Sequence, residues 1–411
     1  MLSLHLVPVN LQSVHLHRPL PYNLVDRRGV LLASKGFVFE TEKLLKDLAN
    51  HGGGFYVDLS NSADKALTEA RKAYVNQLFT SLRKQDTLGN IASVNLNYSG
   101  GHSINDLRSP YIDWHDAVQA CNTMLRKPNA EHFASQLEKT ATDLMREVRT
   151  LPDDTLLALF YLAGSETQIY SATHSMLVAA VCAVTANEVL HWPECDVVVL
   201  IRAAIAMNLG MTELQDTLSR QTEPPTLLQR KSIAQHPVRS SELLNAMGVQ
   251  DQLLLDIVRQ HHTLIAQPLR STKPSYRFAG LIQRVDLFTA RLSPRVSRRA
   301  SPNSVAMKSI YYDPAAQTDE AGAAILKAAG IYHPGAFVRL RSGEVAIVLR
   351  RGKSTTTPTV AAVVNRAGLP MVEPIVRNTA EPPFNIESQV HPAEVRIQLR
   401  LERLIKLNHG G

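Results

Sequence analysis

The fold of this 411-residue chain is decided by residues 168–190, QIYSATHSMLVAAVCAVTANEVL, together with residues 194–209, ECDVVVLIRAAIAMNL. Both segments are apolar around most of their circumference, which is typical of helices buried in the core of a large domain. Their most apolar parts, 176–186 and 197–207, have roughly half of the ~20 residues needed to cross a bilayer. We therefore predict two central helices of a bundle and no membrane span.

Segments with helical period surround this pair on both sides. Pro152, Pro224-Pro225 and Pro237 mark interruptions between them, because proline cannot donate a backbone hydrogen bond. The predicted helices cover residues 114–126, 130–150, 154–163, 226–235, 240–246, 251–260 and 321–329.

The two ends of the chain have a different pattern. Before residue 60, short apolar runs alternate with glycine turns and predict a hairpin with strands near 30–32 and 37–39, a helix over 40–50 and a strand at 55–57. After residue 330, two alternating strands flank a turn at Ser342-Gly343, and short strands follow at 359–364 and 370–373. An amphipathic, cationic helix over 391–407 closes the chain, and we expect it to pack on the body of the protein.

These patterns predict a mainly α fold, a helical bundle flanked by a small N-terminal α+β module and a small C-terminal β extension. We place the module at 1–62, a helical linker region with a polar loop (87–110) at 63–150, the bundle at 151–330 and the β-rich extension at 331–411.

The composition is that of a globular protein, with 45% hydrophobic and 20% charged residues. The net charge of +7 favours an anionic partner, but basic residues concentrate only around 291–299, so nucleic acid is not indicated. Three scattered cysteines, Cys121, Cys182 and Cys195, provide no disulfide framework. With no targeting segment at the N-terminus, these features predict a cytoplasmic protein.

Several histidines and one aspartate lie on or at the ends of the predicted helices, and a bundle in which such side chains project inward is a suitable place to hold a metal. His174 is on the first central helix, His236 precedes Pro237, and His261-His262 end a helix. Asp286 lies on the next helix, where an alternative role is an ion pair with Arg284 or Arg291. Taken alone, a buried histidine is more often hydrogen-bonded than a ligand, but three imidazoles and a carboxylate suit a divalent transition metal.

The order and spacing of six blocks resemble the HD-GYP family, a subgroup of the HD-domain phosphohydrolases, over residues 155–330. The resemblance implies a helical HD-type bundle, a two- or three-metal site and hydrolysis of the bacterial messenger cyclic di-GMP. It also implies that His174, His236, His261, His262 and Asp286 descend from metal ligands and that Arg295 and Arg298 correspond to phosphate-facing arginines. The blocks are Tyr170-x3-His174-Ser175, MNLGM at 207–211, His236-Pro237, His261-His262, VDLF at 285–288 and PRVSRRA at 294–300.

The departures from the family are concentrated at the centre of its site. Met207-Asn208 stand where the family has its His-Asp doublet, and Met211 replaces a lysine that would approach the substrate phosphate. A thioether and a neutral amide are poor ligands for two adjacent divalent cations. The loop at 263–274 also has no Gly-Tyr-Pro motif. We expect Met207 to fill the volume that a metal would leave.

We therefore predict a bacterial signalling protein that is catalytically inactive and binds a protein partner, with cyclic di-GMP as a further ligand. The alternative is an active metal-dependent cyclic di-GMP phosphodiesterase with a reduced site. A third interpretation is a purely structural helical scaffold. We expect no cofactor in the first case and, in the second, a single divalent transition metal, Fe, Mn, Zn or Ni. A homodimer is compatible with the sequence, and neither nucleic acid nor a membrane is expected as a partner.

Overall fold

The structure is a computed structural model that describes residues 112–165, 168–296, 303–312, 318–395, 397 and 399–409, with short segments between residues 6 and 58. The chain divides into two compact units, residues 1–108 and residues 109–411. Each unit is described by itself.

The first unit contains an antiparallel sheet with the strand order β1-β4-β2-β3. The predicted strand at 55–57 is confirmed as β4, but β3 pairs with β2 and not with residues 37–39. In that segment Val38 makes a single bridge to Pro19. Most of the predicted helix at 40–50, and the region 61–111 with the predicted polar loop, lie outside the described residues. The strands are β1 (Leu6–Val9), β2 (Leu24–Val25), β3 (Leu31–Ala33) and β4 (Phe55–Asp58).

The second unit begins with a layer of helices, which confirms the predicted mainly α fold. The helices are α1 (Trp114–Arg126), α2 (Phe133–Thr150), α3 (Pro152–Ser165), α4 (Tyr170–Val184), α5 (Glu194–Ala206), α6 (Thr212–Arg220), α7 (Leu227–Ala246), α8 (Gln252–Gln260), α9 (Pro274–Leu292), α10 (Asn303–Tyr311) and α11 (Glu320–Ala329). The bounds of α1, α8 and α11 agree within one residue with the predicted ones, and each of these helices begins at an aspartate whose side chain caps it; α6 and α10 were not predicted.

Helices α4 and α5 form the centre of the bundle, as their apolar composition predicts. Every residue of α4 is buried, and it packs against α3, α5 and α9. By length and composition, Tyr170–Val189 and Glu194–Arg220 would be able to cross a membrane, but 83% and 61% of their apolar windows are buried inside the protein. Packing within the bundle therefore accounts for their hydrophobicity.

Helix α7 corrects one prediction. The sequence suggested two helices separated at His236-Pro237, whereas α7 continues through Pro237 from Leu227 to Ala246. Proline leaves the carbonyl of Ile233 without its helical N–H donor, and Nδ1 of His236 donates to that oxygen instead, at 2.6 Å. The side chain of His236 thus replaces the missing backbone bond.

The C-terminal sheet is antiparallel, with the order β8-β7-β6-β5-β9. The predicted turn at Ser342-Gly343 is confirmed, with Gly343 at φ +84°, where L residues are strained. One face of the sheet joins the main core through Ile347 and Leu349, and the other forms a small core around Val338. Strand β9 was not predicted. The strands are β5 (Phe337–Leu340), β6 (Val345–Arg350), β7 (Thr359–Val364), β8 (Pro370–Asn378) and β9 (Ile386–Val390).

The last helix, α12 (Leu401–His409), begins ten residues later than predicted, after an irregular stretch that includes a 3-10 turn at Pro392–Glu394. Its apolar face, with Leu404 buried, packs on α3 and β6, as expected for a helix that covers the body. One main core includes side chains from Trp114 to Ile405. The domain boundaries proposed at 150 and 330 remain predictions.

Candidate metal centre

Three of the predicted ligands, His236, His261 and His262, come together where α7 meets the end of α8. Their ligand atoms all lie within 4.8 Å of one another, and we call them the histidine trio. His236 and His261 are buried, whereas His262 is exposed. His261 caps the C-terminus of α8, so the backbone places two consecutive imidazoles at one helix end.

Backbone carbonyls fix the tautomers of the two buried imidazoles. Nδ1 of His236 lies 2.6 Å from the carbonyl oxygen of Ile233, and Nδ1 of His261 lies 2.6 Å from that of Val258. A carbonyl oxygen only accepts, so each Nδ1 carries the proton and donates it. The two Nε2 atoms, 3.1 Å apart, therefore present lone pairs to each other. This is the orientation that protein histidines adopt when they bind a metal.

Electrostatics keep both imidazoles neutral. Burial lowers the pKa of His236 to about 4, against the hydrogen bond with Ile233, which raises it. Burial, with the neighbouring His262 and His236, lowers the pKa of His261 to about 3. At neutral pH no proton lies between the two Nε2 atoms, so they cannot hydrogen-bond to each other. Their lone pairs are instead suited to bind a divalent cation.

The other two predicted ligands form a separate pair. Nε2 of His174 lies 2.7 Å from Oδ1 of Asp286, across 112 positions of chain, and neither residue belongs to the histidine trio. The ring of His174 stacks on that of Tyr170 with centroids 5.5 Å apart and an interplanar angle of 8°. Within the described residues, the buried Nδ1 of His174 has no hydrogen-bond partner.

Asp286 is ionised by this arrangement. Burial raises its pKa, but the hydrogen bond and charge of His174, with the charges of His262 and His261, lower it to about 2. The alternative ion pair with Arg284 or Arg291 is wrong: Arg284 instead binds Asp319 at 2.8 Å. The partner of Asp286 is the imidazole of His174.

The positions that differ from the family lie at the end of α5. Met207 is fully buried in the main core and Asn208 is 3% exposed, while Met211 is partly exposed. Between them, Gly210 donates its N–H to Oγ of Ser240 at 2.9 Å. A Cβ on Gly210 would lie 2.9 Å from the backbone nitrogen of Ser240, so this turn touches the helix that carries His236 directly.

Of the two predicted phosphate ligands, only Arg295 is described; Arg298 lies outside the described residues. The guanidinium of Arg295 donates to the hydroxyl of Tyr170 at 3.1 and 3.3 Å. Its Cζ also lies 5.1 Å from the centre of the Tyr170 ring. Through Tyr170, Arg295 is connected to the ring of His174.

The loop at 263–273, in which the sequence lacks a Gly-Tyr-Pro motif, is anchored at several points. Pro268 packs so closely on Gly280 of α9 that a Cβ there would lie 2.2 Å from the proline ring. Arg284 donates to the carbonyl of Ile265 at 2.7 Å while it binds Asp319. The loop is therefore fixed to α9 and α11.

Sequence reasoning missed Asp216 of α6. Its carboxylate is fully buried, pairs with Arg126 at 2.8 Å and accepts the backbone N–H of Ser171 at 2.7 Å. That N–H lies in the first turn of α4, next to Tyr170, so Asp216 holds the start of the helix that carries His174. An aspartate within a polar helix gave no sequence signal for this role.

Comparison with known proteins gives the following relationships. No protein-family model matches the chain. It is 25% identical over 250 residues to a cyclic di-GMP phosphodiesterase of Pseudomonas aeruginosa, an alignment that includes 57% of this chain and 58% of that protein. The chain thus matches little more than half the length of that relative. A solved structure of an HDG"Y"P protein from Bdellovibrio bacteriovorus aligns with 78% of this chain and 98% of its own, at 15% identity and a TM-score of 0.40.

Proposed function

We propose that the chain is a cytoplasmic member of the HD-GYP family of cyclic di-GMP signalling proteins that binds and does not hydrolyse, a proposal supported by its 25% identity to a cyclic di-GMP phosphodiesterase over 57% of its length. In this proposal it acts by binding a partner protein, and cyclic di-GMP in addition, through the surface that contains Arg295 and the exposed His262. The presence of Met207-Asn208 where the family has its His-Asp doublet is the observation that carries the proposal.

This substitution removes two ligands from the set that a two-metal hydrolase needs. The N–H of His174 Nε2 donates to Oδ1 of Asp286 at 2.7 Å, and Met207 and Asn208 supply no anionic ligand. Two-metal hydrolysis requires a second cation close to the first, to hold the attacking and leaving oxygens together. Without a carboxylate to bridge two cations, their mutual repulsion would not be offset.

The surface around these residues supports a binding role. Leu264, two positions after His262, is 76% exposed, and Val296, next to Arg295, is 57% exposed. Apolar side chains that border a polar site are typical of protein interaction surfaces. Arg295 can bind a phosphate through two N–H donors, provided that its bonds to the Tyr170 hydroxyl are exchanged.

The histidine trio supports a second function, hydrolysis by a single-metal site. His236, His261 and His262 would hold the ion, because two of their lone pairs already converge. A divalent ion held there would supply Lewis acidity for a phosphodiester and acidify bound water. In that case Asp286 would act through His174, which it keeps oriented, and Arg295 would hold a phosphate of the substrate.

Two measurements on the purified full chain distinguish these functions. The first is hydrolysis of cyclic di-GMP with added Mn or Fe, compared with His261→Ala. The proposal predicts no hydrolysis by either protein; hydrolysis that His261→Ala abolishes would refute it. The second is metal content by elemental analysis, where less than about a tenth of an ion per chain would exclude the single-metal hydrolase.

Binding is tested by calorimetric titration of cyclic di-GMP into the wild type, Arg295→Gln and Arg291→Gln. We expect Arg295→Gln to weaken binding roughly tenfold or more, because it removes charged hydrogen bonds worth about 1.5–3 kcal/mol. Arg291→Gln serves as the control for net charge. Equal affinities of all three proteins would show that Arg295 does not bind the nucleotide.

The double variant Met207→His with Asn208→Asp tests the reason for inactivity. It restores the family's doublet on the same backbone, so we expect the metal content to rise above that of the wild type. An unchanged metal content in a folded variant would mean that the doublet is not what limits metal binding at this site.

A further inference from the structure

A groove of about 420 Å³ opens on the C-terminal sheet, between the β5–β6 turn and the β7–β8 turn. None of its lining residues belongs to the histidine trio, to the His174–Asp286 pair or to the positions that differ from the family. Its volume lies within the range of about 300–1,000 Å³ that is usual for small-molecule sites.

Strand register explains the floor of this groove. Arg339 on β5 is paired with Val345 on β6, which is paired with Val364 on β7, and Val364 is paired with Pro370 on β8. Directly opposite residues of an antiparallel sheet point to the same face. The four side chains therefore form one row, with a guanidinium at one end and apolar groups along the rest. Ile397 adds a further apolar side chain to the lining.

Two arginines face the groove without an ion-pair partner among the described residues. They are Arg339, exposed on β5, and Arg366, whose Cβ lies 3.8 Å from the position that a Cβ would take on Gly343. The carboxylate of Glu344 is bound by Arg377 at 3.0 Å, and the charge of Arg366 acts on it only at longer range, as a smaller contribution to the lowered pKa of Glu344.

The lining contains one carboxylate, that of Glu394, which makes no ion pair within the part of the chain that the structure describes. The groove therefore has two cationic groups and one anionic group around an apolar floor. Arginine binds carboxylates and phosphates through two parallel N–H donors. An apolar floor beside such donors selects a ligand that is partly hydrophobic, and Glu394 disfavours a ligand that is negative at both ends.

We propose that this groove binds a small organic anion that carries a carboxylate, phosphate or sulfonate group next to an apolar part. The anionic group lies between Arg339 and Arg366, and the apolar part lies on Val345 and Val364. This site is independent of the proposed function, because it uses none of the same residues.

The test is a fluorescence titration of the full chain with anilinonaphthalene sulfonate, an aromatic sulfonate whose emission rises in apolar surroundings. Three single variants are compared with the wild type: Arg339→Gln, Arg366→Gln and, as the matched control, Arg341→Gln. Arg341 is two positions from Arg339 but does not line the groove. We expect one bound probe per chain, with affinity lowered roughly tenfold or more by either groove variant and unchanged by Arg341→Gln.

A neutral probe with the same ring system, phenylnaphthylamine, separates charge from hydrophobicity. It should bind the wild type more weakly than the sulfonate and should not distinguish the variants. Circular dichroism establishes that each variant is folded. Absence of sulfonate binding, or equal affinity of the wild type and both groove variants, would overturn the proposal, and so would an equal loss of affinity in Arg341→Gln.

Discussion

Acid should destabilise the metal-free protein through the two buried imidazoles of the histidine trio. An unperturbed histidine has a pKa near 6.5, and burial lowers that of His236 to about 4 and that of His261 to about 3 in the folded chain. Between these values the unfolded chain binds protons that the folded chain does not. The stability is therefore fully present above about pH 6.5 and is lost as the pH falls towards the folded pKa values.

The size of the effect follows from the pH interval. Well below pH 6.5 each such group costs about 1.4 kcal/mol per pH unit, so lowering the pH from about 7.5 to about 5 removes about 2 kcal/mol for each imidazole. Because His236 and His261 both remain neutral at pH 5, the two contributions add to about 4 kcal/mol. This is a large fraction of the stability of an ordinary domain.

The assay is urea unfolding in the presence of a chelator, at several pH values, with the double variant His236→Asn and His261→Asn. Asparagine keeps a donor near the position of Nδ1 but does not titrate. We expect the variant to lose about 4 kcal/mol less than the wild type over this interval. His132→Asn, at an exposed position, should behave as the wild type does. If the double variant and the wild type had parallel pH profiles, His236 and His261 would not be buried and neutral as described.

Two further predictions concern packing and buried charge. In Gly322→Ala, the new Cβ would lie 1.8 Å from the carbonyl oxygen of Ile310, so we expect the free energy of unfolding in urea to fall by about 3 kcal/mol or more. The control is Gly164→Ala, which has open space around the new Cβ and should change the stability by less than about 1 kcal/mol. Arg126→Met should lower the free energy of unfolding by about 3 kcal/mol, because it leaves the buried carboxylate of Asp216 without its ion-pair partner. The double variant with Asp216→Asn should lose less than the sum of the two single variants, and strict additivity would contradict the buried pair.

The central helices were predictable because their signal is local. Helices α4 and α5 are apolar around most of their circumference, which predicts that they are buried, and the structure confirms that burial. The neighbourhood of His236, His261 and His262 followed from the family resemblance and not from periodicity. Strand β9 escaped prediction because its sequence, IESQV, has no run of apolar residues and lies at a sheet edge.

The errors at the site arose from contacts between distant parts of the chain. Asp286 was assigned to Arg284 as one alternative, but residues two positions apart on a helix point in different directions, and the imidazole of His174 is the nearer group. Pro237 indicated a helix break because it lacks an N–H, and the sequence does not reveal that Nδ1 of His236 takes over as the donor to Ile233. Both outcomes depend on side-chain directions that pattern analysis does not supply.

The two halves of the site differ in how they depend on a metal. The imidazoles of His236 and His261 are oriented by bonds to backbone carbonyls of their own helices, so their Nε2 atoms converge whether or not an ion is present. His174 and Asp286 are oriented by each other, and a cation that recruited Asp286 would have to replace the bond with His174. Asn208 is neutral, so it cannot supply the anionic ligand that the aspartate of the Asn208→Asp variant would supply. The metal content of the Met207→His and Asn208→Asp double variant therefore tests whether a second charged ligand allows Asp286 to exchange His174 for a metal ion.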